Sequence, residues 1–157
     1  GHDSFNTQHP CLMPDVFEVG TMNVPSFIGL NRGVEYVVNK GIENISQKIS
    51  SLRSYFIKEL NKIEGIITYG TNYNSLYTGV VSLNIGKRPS GEISLALYEK
   101  YGIATRSGAH CAPLLHEYFH TKEQGMVRFS FSSFNTKKEV KLAIEALKEI
   151  SIEHYII

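Results

Sequence analysis

The chain has 157 residues, 16 basic and 15 acidic side chains, and a formal charge of +1, which suits one domain with a real hydrophobic core. No basic stripe argues for nucleic acid, and no apolar run approaches the ~20 residues that cross a bilayer, so neither is an expected partner. Two cysteines, Cys11 and Cys111, are too few for a disulfide framework, and reduced thiols in a cytoplasmic setting are expected.

Residues 1–24 are rich in Asn, Gln, His, Pro and Asp, with no clear hydrophobic period, and are expected to form an irregular connecting segment. The start, Gly1-His-Asp-Ser-Phe, carries no Met and no signal-peptide pattern, so a processed chain or a piece of a longer one is expected. Pro25 suits the first turn of a helix, where its missing N–H costs nothing. Phe27, Ile28, Leu30, Val34, Val37 and Val38 give that helix an apolar stripe, and Lys40-Gly41 supplies a stop. In the next helix, about Glu43–Ile63, Ile45, Ile49, Leu52, Phe56, Leu60 and Ile63 recur at steps of three and four. Lys48, Arg53, Lys58 and Lys62 fall mostly off that stripe.

Strand signals follow at Ile66–Tyr69 and Val80–Ile85, separated by the turn cluster Thr71-Asn-Tyr-Asn-Ser. Ser90 is placed to cap a helix over Gly91–Tyr101, with Glu92 in its first turn. Ile103–Arg106 reads as a short strand, and Val127–Phe131 alternates as another. Asn135-Thr136 is expected to cap a last helix, Lys137–Ile150, whose apolar face is Val140, Ile144, Leu147 and Ile150. This order predicts an α+β fold: a sheet of about four strands, mostly antiparallel, with helices mostly on one face.

The segment Arg106-Ser-Gly-Ala-His-Cys111-Ala-Pro concentrates the chemistry. A thiol attacks as thiolate, and nearby cations or backbone N–H groups favour that form. Arginine also grips carboxylates with two parallel hydrogen bonds. Arg128 follows two apolar residues on a strand, where an unpaired charge is costly, and so points to an anionic partner. His110 is a candidate to stabilise the thiolate or relay a proton; His116 fits a helix-surface position better. Gly20-Thr21 allows close backbone approach and offers donors suited to phosphate oxygens, with Asn23 tying down the turn. No metal site is expected: His2, His9 and Cys11 lack paired zinc spacings, and His116 and His120 lack the intervening Glu of the zincin motif.

Four blocks in order carry a family resemblance: Phe17-Glu-Val-Gly20-Thr-Met-Asn23, the cysteine turn through Pro113, Gly125-Met-Val-Arg128-Phe-Ser, and Phe134-Asn-Thr136-Lys-Lys-Glu139. The chain resembles the carboxy-terminal part of the cysteine desulfurases and selenocysteine lyases, class V aminotransferase relatives that use pyridoxal 5'-phosphate. The resemblance implies a connecting segment at 1–24 whose turn touches the cofactor phosphate, and a small domain over 25–157. It also implies roles. Cys111 is the persulfide-forming nucleophile, assisted by His110. Arg128 binds the carboxylate of L-cysteine, with Arg106 beside it. Gly20, Thr21 and Asn23 serve the cofactor phosphate of a neighbouring subunit, which implies a homodimer. A sulfur-acceptor protein and iron–sulfur cluster assembly are the implied context.

The family's cofactor lysine lies in a large domain with no counterpart in this sequence, so this chain by itself is expected to be inactive. Three alternatives stay open on the residues: selenocysteine lyase or another lyase on the same frame, a non-catalytic α+β interaction module, and a thiol hydrolase pairing Cys111 with His116.

Overall fold

The computed structural model describes residues 5, 7–8, 10–18, 20–70 and 78–153. Its elements run α1 (Val24–Lys40), α2 (Ile42–Leu60), β1 (Ile66–Tyr69), β2 (Val80–Ile85), α3 (Ser90–Tyr101), α4 (Pro113–Tyr118), β3 (Val127–Ser130) and α5 (Lys137–Glu153). Residues 1–42 and 43–157 form two compact units. Among the described residues no helix is long and apolar enough to cross a membrane.

In the first unit, Asn23 caps α1: its Oδ1 accepts the Ser26 N–H at 3.1 Å. Pro25 sits in the first turn, and the Gly41 N–H closes the other end on the Val37 and Val38 carbonyls. No residue of α1 is buried, so its apolar stripe is presented outward, Val38 at 71% exposure.

The second unit is built on the antiparallel sheet β1-β2-β3. Ile66 faces Ile85 and Tyr69 faces Ser82 across one pair; Val80 faces Ser130 and Leu83 faces Val127 across the other. Because side chains alternate along a strand, Val81, Leu83, Ile85, Val127 and Phe129 share one face. That face meets Leu52, Phe56 and Leu60 of α2, Ile93 and Leu97 of α3, and Val140, Leu147 and Ile150 of α5 in one buried cluster. Phe56 is fully buried, its ring 5.0 Å from that of Phe129 and 5.1 Å from that of Phe131. Burying each large side chain of this kind contributes about 1.5–3 kcal/mol.

Several expectations need correction. Among the described residues the sheet has three strands rather than about four. Ile103–Arg106 is reduced to a single bridge between Arg106 and Arg128, because the chain reaches the sheet edge only at Arg106, the Ile103 N–H being spent on the Leu97 carbonyl at the end of α3. The long helix stops at Leu60 rather than Ile63, since the Lys62 and Ile63 N–H groups tighten onto carbonyls three residues back, those of Glu59 and Leu60. Arg53 is 7% exposed rather than solvated, and its Nε donates to the Val80 carbonyl at 3.3 Å. Ser90 does not cap α3 through its side chain. Pro89 takes that position, and Ser90 Oγ instead accepts the Gly108 N–H at 3.2 Å. Thr136 and Glu139 form the reciprocal cap of α5, the Thr136 N–H donating to Glu139 Oε2 and the Glu139 N–H to Thr136 Oγ1. Those bonds from Thr136 hold the Glu139 carboxyl below the usual range. The turn cluster at 71–75 and the residues His2 and His9 lie outside the described residues.

Candidate active site

The sheet face opposite the helix core carries Tyr69, Ser82, Asn84 and Arg128 by the same alternation. Arg106 joins it by its bridge to Arg128: the Arg128 N–H donates to the Arg106 carbonyl at 2.7 Å and the Arg106 N–H returns the bond at 3.2 Å. Residues directly opposed across such a bridge send their side chains to one side. Two guanidinium groups therefore share one face, and Ser82 opposite Arg128 is small enough to leave room. Among the described residues neither guanidinium is ion-paired to a carboxylate. Among the described residues the buried Arg128 Nε–H has no hydrogen-bond partner. Such an arrangement is costly unless an anion completes it.

Cys111 is exposed and outside any disulfide, on a turn just beyond Arg106. Arg106 Nη2 lies 3.7 Å from Cys111 Sγ, within reach of an N–H···S bond. His110 and Cys111 both take left-handed backbone conformations, φ 52° and 57°. Each such residue costs of order 1–3 kcal/mol and persists only where the surroundings impose it. Here the Ala112 N–H closes on the Ala109 carbonyl at 2.9 Å, and the Met126 N–H holds the Gly108 carbonyl at 3.2 Å. Pro113 then opens α4, a first-turn position that suits proline.

The His110 Nε2 lies 2.9 Å from the Arg106 carbonyl, which only accepts, so Nε2 carries the hydrogen and Nδ1 keeps its lone pair. Burial holds the His110 ring below its ordinary 6.5, helped by the charges of Arg128, His116 and Arg106 and opposed by the bond to the Arg106 carbonyl. At neutral pH the ring is thus a neutral base.

Some contributors to this geometry were missed or misplaced in the sequence reading. His116 is not a helix-surface residue; it is 1% exposed, because α4 folds over the sheet face with the Phe119 ring 5.2 Å from that of Tyr69. Asn84 is fully buried, donating through Nδ2 to the Gly125 carbonyl at 3.0 Å and to Tyr69 Oη at 3.2 Å. A lone Asn in the apolar run Val80–Ile85 was the signal for it. Gly125, at φ 67°, is where the turn backbone comes closest: a Cβ there would lie 2.5 Å from Ser90 Oγ and 2.8 Å from Gly108 Cα. Gly125→Ala is expected to lower the unfolding free energy by about 2–3 kcal/mol. Urea denaturation checks this, and an unchanged midpoint would contradict the close approach.

In the other unit, Gly20 takes φ 106° with open space where a Cβ would be, and Thr21 is exposed. Both precede the amino end of the 17-residue α1, whose dipole favours an anion but whose Val24, Ser26 and Phe27 N–H groups already bond Met22 and Asn23 oxygens, so the donors that remain are the N–H groups of Gly20 and Thr21 and the Thr21 hydroxyl. This donor set fits a phosphate. Asn23 spends its Oδ1 on the cap. Among the described residues no three His, Cys, Asp or Glu side chains converge as metal ligands.

The aminotransferase class-V family profile matches residues 4–142, and the chain belongs to that family. Its relatives include a cysteine desulfurase of Escherichia coli O157:H7, 35% identical over 134 residues, covering 85% of this chain and 32% of the relative. A probable cysteine desulfurase of Methanothermobacter thermautotrophicus is 34% identical over 139 residues, covering 88% and 34%. Among solved structures, the apo cysteine desulfurase of Thermococcus onnurineus NA1 superimposes with a TM-score of 0.81 at 28% identity, covering 89% of this chain and 34% of that one. The cysteine desulfurase CsdA of Escherichia coli gives 0.76 at 26% identity, covering 89% and 33%. The chain thus spans about a third of the length of these relatives.

Proposed function

We propose that this chain is the small-domain portion of a pyridoxal 5'-phosphate-dependent cysteine desulfurase, which converts L-cysteine to L-alanine and leaves a persulfide on Cys111. The observation that carries this is an exposed Cys111 thiol 3.7 Å from the Arg106 guanidinium, with Arg128 opposite Arg106 on β3, its buried Nε without a partner among the described residues. A thiol nucleophile and a carboxylate grip are what a sulfur-transferring enzyme needs for one small zwitterion.

Each residue has a distinct task. Arg128 holds the substrate carboxylate, its planar fork matching two oxygens, and Arg106 stands between that carboxylate and Cys111 Sγ. The Cys111 sulfur attacks the substrate sulfur. A sulfur–sulfur bond forms, the carbon–sulfur bond breaks with its electron pair left on the carbon skeleton, and a proton delivered to that carbon completes alanine. His110 Nδ1, neutral and unprotonated, accepts the thiol proton. Gly20 and Thr21 fit the cofactor phosphate. The cofactor, when bound, withdraws electrons from the amino acid and makes its carbon–sulfur bond breakable. Its lysine anchor belongs to the part of the protein outside this sequence. The division into a connecting segment at 1–24 and a small domain at 25–157, a homodimer in the cytoplasm, and a sulfur-acceptor protein complete the reading.

Two measurements test it. The isolated chain is expected to release no alanine from L-cysteine, whereas a longer chain carrying the cofactor lysine is expected to do so. In that longer chain Arg128→Gln is expected to raise KM for L-cysteine by about 10²-fold, the scale of a lost charged hydrogen-bond pair. An unchanged KM would remove Arg128 from the substrate site.

A further inference from the structure

A second imidazole lies beneath the cysteine turn, and the reaction above does not use it. His116 is 1% exposed. Its Nδ1 is 2.9 Å from Thr121 Oγ1 and 3.3 Å from the Thr121 carbonyl oxygen. The hydroxyl can donate or accept and the carbonyl only accepts, so the tautomer with its hydrogen on Nδ1 makes hydrogen bonds of both contacts and leaves Nε2 with a lone pair. Among the described residues that buried Nε2 has no partner. Such an orphan costs stability, and a leucine would fill the space without that cost.

The backbone completes a clamp around the ring. The Thr121 N–H donates to the His116 carbonyl at 2.9 Å, and the Gly125 N–H to the Thr121 carbonyl at 2.8 Å. Thr121 is itself 4% exposed. The end of α4 is thus fastened to the turn that enters β3. The His116 ring also packs against His110, with centroids 6.0 Å apart. His110 is therefore held twice, by the Arg106 carbonyl at Nε2 and by His116 at its ring. Those two holds act on the left-handed pair His110-Cys111, which free peptide would abandon.

We propose that His116, fastened by Thr121, is a positioning residue: it keeps His110 and Cys111 in their left-handed turn and so keeps Cys111 Sγ at the Arg106 guanidinium. This rests on the reading of Cys111 as the nucleophile, yet it concerns the thiol of this chain alone and is measurable without cofactor or turnover.

The test is the alkylation rate of Cys111 by iodoacetamide, read by peptide mass spectrometry, with exposed Cys11 as reference in every sample. His116→Leu is expected to slow Cys111 relative to Cys11 by about fivefold or more, as the sulfur leaves its cation. Thr121→Val, which keeps the volume and removes the hydroxyl, is expected to slow it by about twofold or more. His116→Asn retains an N–H near the Nδ1 position and is expected to stay within about twofold of the parent. A general loosening of the fold would not be rescued by Asn, which also gives up the packing of the ring on His110. Ratios for His116→Leu and Thr121→Val equal to the parent would overturn the proposal, as would a loss in His116→Asn equal to that in His116→Leu. If His116→Leu does not fold by circular dichroism, Thr121→Val and His116→Asn decide between the same two outcomes. Persistent desulfuration in a longer chain lacking Cys111 would sink the nucleophile reading while leaving these ratios intact.

Discussion

Cys111→Ala, made in the longer chain that carries the cofactor domain, is expected to cut persulfide formation from L-cysteine by at least about 10³-fold, the scale of losing a covalent nucleophile. The expectation follows from geometry. Cys111 Sγ is the exposed sulfur that Arg106 Nη2 reaches at 3.7 Å, on a turn whose two left-handed residues present it. No neighbouring atom replaces it: a methyl group neither attacks sulfur nor carries it. Arg106 and Arg128 would remain, so substrate binding should survive and KM should change little. A Cys111→Ala enzyme that turns over normally would show that sulfur leaves by another route. A Cys11→Ala variant supplies the control, because Cys11 lies in the other unit and has no assigned part in the chemistry.

Phe56→Ala is expected to lower the unfolding free energy by about 3–5 kcal/mol, a large share of the 5–15 kcal/mol typical of a domain. Phe56 is fully buried, and its ring packs on Phe129 and Phe131 at 5.0 and 5.1 Å. Truncation leaves a cavity between α2 and the strand that carries Arg128. Three strands and their helices cannot close around it without moving β3. Urea denaturation measures the loss, and a change below about 1 kcal/mol would mean the core is not centred on that ring. The same variant is informative for function: β3 is the strand whose opposite face holds Arg128, so a displaced Phe129 should weaken substrate binding as well as the fold.

The parts of this architecture with strong periodicity were legible in the residues. α2 and α5 announce themselves by apolar steps of three and four, β2 by its β-branched and apolar residues around Ser82 and Asn84, and the start of α5 by Thr136 and Glu139. What was not legible depended on contacts far apart in sequence. Ile103–Arg106 has strand-like residues, but among the described residues it has one partner position, Arg128, and its Ile103 N–H closes on Leu97 of α3 instead. Ser90 looks like a helix cap because local bonding is all that a sequence displays. In the fold its hydroxyl serves Gly108 instead, 18 residues on. His116 was read as a surface residue for a similar reason. α4 has only six residues, too few for a period to reveal which side is inward. Asn84 and Gly125 carry the same lesson from opposite directions, a polar side chain and a missing one that meet through the bond at 3.0 Å. The candidate site residues are close in the sequence, Arg106, His110 and Cys111 within one six-residue segment and Arg128 on a recognisable strand. The clamp beneath them is assembled from residues that no local pattern connects.

The most direct test of the central claim is to treat the longer, cofactor-bearing chain with L-cysteine and locate the transferred sulfur by mass spectrometry of its peptides. One added sulfur atom is expected on the peptide containing Cys111, formed as alanine appears and absent from the peptide containing Cys11. Alanine release with Cys111 left unmodified, or sulfur found first on Cys11, would contradict it.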